Sequence, residues 1–227
     1  MVKDLRVNVL GEPLFEKVNL VIRPGERIAL VGSQEGDVST LLRVLAGEDE
    51  ADRGTVTSDG ERIAYVSPEM FLEGGQSLGR LHHARPTFVF FDATSTDAVG
   101  SVVQDAEHFI KGFRGGILIT ATDDRLITVA KVTRVFEMHA TTKAITSYTG
   151  SYAEFLVERE KSLARLNEAY EKQQKEKRRL EEYLEQKRKE AGKDKSSPEK
   201  GAVIRAKAKY LQREILDKEL PKPTESE

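Results

Sequence analysis

The chain has 227 residues, 38% of them hydrophobic and 33% charged, which is enough for one substantial buried core and a smaller companion segment. It contains no cysteine, so disulfides, thiolate metal sites and a cysteine nucleophile are excluded. No apolar run approaches the ~20 residues that cross a bilayer, and the first residues lack the apolar centre of a signal peptide, so a cytoplasmic protein without a membrane partner is expected. The net charge of −2 is the sum of unlike parts: residues 1–150 hold 16 Lys and Arg against 21 Asp and Glu, whereas residues 172–213 hold 15 against 7.

In chain order, residues 1 to about 148 alternate short apolar runs with helix-like stretches, the pattern of an α/β domain. Arg27 to Gly32 (RIALVG) reads as a buried strand, and Ser39 to Gly47 as a short helix with Ser39 near its start and Gly47 as its stop. Thr55 to Ser67 reads as a hairpin around Asp59-Gly60, a dipeptide that accepts positive φ. Thr87 to Asp92 (TFVFFD) is a second buried strand, in which Phe88, Phe90 and Phe91 are core residues, and Gly116 to Thr122 is a third. A helix is expected over Asp97 to Phe113 between them.

Beyond Gly150 the composition changes. No Pro or Gly occurs from Ser151 to Glu190, and Leu156, Leu163, Tyr170 and Leu184 share one heptad position, with Leu166 and Leu180 on a second. A breaker over Ala191–Pro198 precedes a helical pattern with Ile204, Ala208, Leu211 and Ile215 on one face. Two amphipathic helices joined by a polar turn predict an antiparallel hairpin.

The stretch GSQEGDVST after the first strand occupies the place of a phosphate-binding loop, GxxxxGK[ST], whose amides cradle phosphates, whose Lys carries charge to them and whose hydroxyl binds magnesium. Gly32, Ser39 and Thr40 match, and Gly36 adds a second glycine, but Asp37 stands in place of the motif's glycine and Val38 in place of its Lys. Glu35 and Asp37 add negative charge where a polyphosphate would sit, each costing on the order of 1 kcal/mol against it.

The ordered segments PLFEKVNLVIRPGERIALVG, STLLRVLAGE, GTVTSDGERIAYVS, LEGGQ, FVFFDATST, ITATDDR and YTGSYAEFL together resemble the nucleotide-binding domain of ATP-binding-cassette proteins. More narrowly they are similar to the ABC-F branch, soluble ribosome-associated factors with two such domains joined by a helical linker. The resemblance implies a P-loop NTPase-like α/β fold, an ABC-type core sheet with flanking helices followed by an antiparallel α-helical hairpin. It divides the chain into a degenerate nucleotide-binding domain over 1–149, a basic hairpin over 150–219 and a disordered tail over 220–227. Only 31 residues separate Thr40 from LEGGQ, so most of the family's helical subdomain is expected to be missing.

By the same resemblance, Asp92 keeps the magnesium carboxylate, but Ala93 replaces the general-base Glu, Asp123 the switch His and Pro68 the sensing Gln. Val9 and Leu10 stand where an aromatic residue would stack on adenine, and Glu73 replaces the signature Ser in LEGGQ. The general base and the phosphate clamp are each worth orders of magnitude in rate, so a pseudo-ATPase is expected, with ATP and magnesium as cofactors only if the degenerate site still binds them. The linker resemblance makes the ribosome, its rRNA and tRNA near the exit site the expected partners. The candidate contacts are Lys177, Arg178, Arg179, Lys187, Arg188, Lys189, Lys193, Lys195, Lys200, Arg205, Lys207 and Lys209. Two alternatives remain: a regulatory or scaffold subunit pairing with a competent ABC-type domain, and a weak ATPase.

Overall fold

The computed structural model describes residues 1–9, 11–32, 35–58, 60–94, 100–139, 142–193, 198–218 and 220. Chain order runs β1 (Val2–Val9), β2 (Glu12–Leu20), β3 (Arg27–Gly32), α1 (Glu35–Ala46), β4 (Arg53–Val56), β5 (Ile63–Val66), α2 (Pro68–Leu72), α3 (Gly75–Ala84), β6 (Phe88–Ala93), α4 (Gly100–Gly112), β7 (Gly116–Ala121), α5 (Asp124–Val129), β8 (Arg134–Met138), β9 (Ile145–Thr149), α6 (Tyr152–Lys193) and α7 (Pro198–Tyr210). A π-helical segment over Leu211–Leu216 continues α7. The chain divides into two compact units, Met1–Glu158 and a second beginning at Arg159.

In the first unit, a six-stranded sheet has the order β5-β6-β7-β3-β8-β9, parallel except for β9 at one edge, and a three-stranded antiparallel sheet has the order β2-β1-β4. The three buried strands read from sequence are thus β3, β6 and β7, adjacent or nearly so at the centre. Alternation along β6 feeds two cores. Phe88 and Phe90 face a cluster with α1 and the small sheet, while Val89, Phe91 and Ala93 face a cluster with the helices of the opposite layer. The aromatic run is core, as its sequence setting predicts. Among the described residues no helix is long and apolar enough to cross a membrane.

The expected hairpin over Thr55–Ser67 does not form. β4 pairs with β1, Val2 opposite Val56, whereas β5 lies parallel to β6, Tyr65 opposite Phe90, in the other sheet. The apolar run Ile63–Val66 is buried more completely beside an aromatic central strand than against the exposed residues of β4, and this outweighs the local turn signal. Asp59 itself lies outside the described residues. The pair β1–β2, which carries Leu5 and Phe15 into the core, has no counterpart in the sequence reading. Within the span Asp97–Phe113 expected to be helical, α4 covers Gly100–Gly112, and residues 97–99 lie outside the described part.

The entry to α6 is fixed by a capping box. The Ser151 amide and hydroxyl both donate to the Glu154 carboxylate at 2.8 Å, and the Glu154 amide donates back to Ser151 Oγ at 3.3 Å. These bonds hold the Glu154 carboxyl below its ordinary range. Phe155 then packs beside Tyr148 and Tyr152 in the core of the first unit, and the Tyr152 hydroxyl donates to Asp124 at 2.8 Å.

The second unit is a helical hairpin. Leu184, Leu211 and Ile215 are buried together, flanked by Leu180, Tyr183, Ile204 and Ala208. Gln173 bonds Lys218 and Leu220, Tyr210 bonds Glu176, and Lys207 sits over Tyr183, so the two strands of the hairpin run antiparallel. Of the expected heptad positions only Leu180 and Leu184 join this cluster, and Leu156, in the first unit, is 38% exposed. The breaker is shorter than Ala191–Pro198: α6 runs through Lys193 and α7 begins at Pro198, with a proline at the first helical position. Of the expected disordered tail, Leu220 is tied to Gln173 and residues 221–227 lie outside the described part.

Candidate functional site

Gly32 at the end of β3, Asp92 on β6 and Thr122 after β7 meet at the carboxyl-terminal edge of the parallel strands, where such sheets place their ligands. α1 begins at Glu35, a full turn earlier than the sequence reading, so Gly36, Asp37 and Val38 belong to its first turn. The Asp37 carboxylate in this first turn suits the positive end of the helix. Burial pushes the Asp37 carboxyl up, and the charge of Lys143 pulls it back down.

Val38 is buried, and its Cγ2 lies 2.8 Å from where a Cβ on Gly32 would stand. Any larger residue at position 32 would collide with it. Asp92 is fully buried. Its Oδ1 accepts from the Thr94 hydroxyl at 2.7 Å and the Thr94 amide at 3.2 Å, and its Oδ2 accepts from the Tyr65 hydroxyl at 3.3 Å. Ser39 Oγ is 3.1 Å from Thr94 Oγ1, and the Thr122 hydroxyl donates to the Thr94 carbonyl at 2.9 Å. The single Thr94 hydroxyl proton goes to Asp92, so Ser39 is the donor to Thr94. Burial and the neighbouring Asp92 carboxylate together raise the Tyr65 phenol far above its usual range. Tyr65 and Thr94 were not singled out in the sequence, although Tyr65 stands three residues before Pro68 and Thr94 two after Asp92.

On the hairpin, Arg178, Arg179, Lys189, Arg205, Lys207 and Lys209 are exposed, and Tyr210 bonded to Glu176 sets Lys209 level with Arg178 and Arg179. Lys177 and Lys187 differ from the expectation: both are half-buried on the stripe of α6 that turns inward. The Lys207 ammonium sits 3.8 Å above the Tyr183 ring and is engaged across the hairpin. Lys189 pairs with Glu185 and Lys172 with Glu168, the i,i+4 pattern of a stable exposed helix. The side chains of Arg188, Lys193 and Lys200, and all of Lys195, lie outside the described part.

The family model ABC_tran_Xtn, described as ABC transporter, matches residues 138–219, the span of β9 and the hairpin. The ATP-binding protein Uup of Caulobacter vibrioides is 40% identical over 74 residues, 32% of this chain and 12% of that protein. The probable ATP-binding protein YbiT of Escherichia coli O157:H7 is 22% identical over 195 residues, 63% of this chain and 36% of its own length. The fold is similar to that of the ATP-binding cassette MJ0796, solved as a dimer in a post-hydrolysis state bound to ADP and Pi. The TM-score is 0.52 at 13% identity, with 65% of this chain and 97% of that chain covered. The chain is similar over parts of its length to ABC-type ATP-binding proteins, and its fold is ABC ATPase-like. It spans only about a third or less of the length of these two curated relatives.

In this ABC ATPase-like fold the positions expected to carry chemistry have other structural work. Ala93 is 2% exposed in the core, where a carboxylate would be buried. Pro68 is the first residue of α2, which Ser67 caps through the Met70 amide. Asp123 caps α5 and is paired with Arg125, which holds its carboxyl below the ordinary range. In LEGGQ, Gly74 adopts φ +64, a backbone that only glycine takes readily, and the Gly75 amide donates to Asp105 of α4 at 2.9 Å. Glu73 accepts from Ser77 and from Arg80 within the same segment. These residues do not fit a magnesium-bound triphosphate as arranged: both Asp92 oxygens are engaged by protein donors, the Lys position is packed into the core, and the signature amide is capped by an internal carboxylate.

Proposed function

We propose that the chain is an ABC-F-like factor that binds the ribosome without turning over ATP, laying its hairpin against rRNA or tRNA near the exit site and acting by occupancy in translation regulation, protection or dormancy. The observation that supports this best is the level placement of Arg178, Arg179 and Lys209 on facing helices, within a segment of net charge +8. Cations held on a rigid antiparallel rod neutralise phosphates by counterion release without reading sequence. The phosphate-loop geometry supports the absence of turnover, since neither a charged clamp nor a general base stands at its expected position.

Pairing with a second ABC-type domain through LEGGQ is the weaker reading, because the Asp105 carboxylate already takes the Gly75 amide that such a partner's phosphate would require. The test is co-sedimentation of the full chain with ribosomes at moderate salt, with ATP and magnesium present or removed by chelation. Equal association in both conditions is expected. No association, or association only with ATP, contradicts the proposal.

A further inference from the structure

The network around Asp92 names a residue that closes the cation position. A fully buried carboxylate must be satisfied by hydrogen bonds or by a cation. Here the satisfaction is internal: Thr94 supplies two donors to Oδ1, and Tyr65, reaching over from the neighbouring strand β5, supplies one to Oδ2. Ser39, the hydroxyl in the metal-binding place of the loop, donates into the same network through Thr94 at 3.1 Å. Magnesium requires oxygen ligands at about 2.0 to 2.1 Å, and an Asp92 whose Oδ1 is taken by Thr94 and whose Oδ2 lies under the Tyr65 hydroxyl presents no open oxygen to one.

We infer that Tyr65 is the gatekeeper of this site, its hydroxyl standing on Asp92 Oδ2 where a divalent cation would otherwise be drawn, so that hydrogen bonds rather than a metal ion tie Ser39 through Thr94 to Asp92. The inference rests on the non-hydrolysing reading above and adds the residue responsible for it. Tyr65→Phe keeps the ring and its packing and removes only the hydroxyl. Tyr65→Leu, which keeps apolar bulk, is a second opened variant.

The experiment follows backbone amide signals of the full chain by NMR while millimolar Mn²⁺ is added without nucleotide. In the natural protein the Ser39 and Thr94 signals are expected to persist. In Tyr65→Phe and Tyr65→Leu they are expected to be lost selectively by paramagnetic broadening, and adding Asp92→Asn is expected to restore them. Equal broadening in the natural and Tyr65 proteins, or broadening in neither, overturns the inference. Ribosome co-sedimentation reads association of the whole chain, whereas the NMR titration reads the cation position alone without nucleotide, so failure of either experiment leaves the other outcome readable.

Discussion

Replacing Arg178, Arg179, Arg205 and Lys209 together with glutamine is expected to weaken binding to ribosomal RNA on the order of 100-fold at physiological salt, and to flatten the dependence of log affinity on log salt by about 3 to 4. The four side chains are exposed, and glutamine is nearly as good a helix former as arginine or lysine, so the hairpin should fold unchanged. The loss should be uniform across RNA sequences, because phosphate contacts carry no base information. Neutralising Arg53 and Arg80 of the first unit, exposed cations that pair with Asp4 and Glu73, controls for general charge and should leave the slope unchanged. Circular dichroism checks helicity, and titrations at several salt concentrations give the slope.

Leu184→Ala should release the returning helix. Among the described residues, Leu184, Leu211 and Ile215 are the ones buried in the hairpin cluster, so truncating one removes a large share of what holds it. The cost is about 2 to 3 kcal/mol, at the low end for buried leucines because a small cluster can collapse around the gap. Hydrogen exchange reads it directly: amides over Leu211–Leu216 should exchange about 30- to 140-fold faster, since each 1.4 kcal/mol is tenfold. Amides of β3 and β6, which belong to the other compact unit, should keep their rates. RNA affinity should fall as well, because the cations of α7 would no longer be held level with those of α6. Unchanged exchange over Leu211–Leu216 would show that the cluster does not hold the hairpin.

Strong local patterns were legible in the sequence, and features set by distant partners were not. The strands β3, β6 and β7 are continuous apolar runs bounded by turns, and α6 has no Pro or Gly from Tyr152 to Glu190, so each announces itself. β5 does not, because Ile63–Val66 chooses β6 over its neighbour β4 only when the whole sheet is present. Val38, Pro68, Ala93 and Asp123 were readable as departures from the motifs that the sequence resembles. Their structural gains were not: Val38 fills the space above Gly32, Pro68 starts α2, and Asp123 caps α5. Tyr65 was hidden for the same reason, since its partner Asp92 lies 27 residues away on the adjacent strand. Charge counting located the basic segment but not the inward turn of Lys177 and Lys187, which follows from the packing of α6 against the returning helix.

Ultraviolet cross-linking of the full chain to ribosomes, followed by mass spectrometry of the peptide–RNA adducts, tests the central claim most directly. Adducts concentrated between Lys172 and Arg213, present with or without ATP, are the predicted result. Adducts confined to the unit Met1–Glu158, or none above a bovine albumin control, would contradict a hairpin that works by contacting RNA.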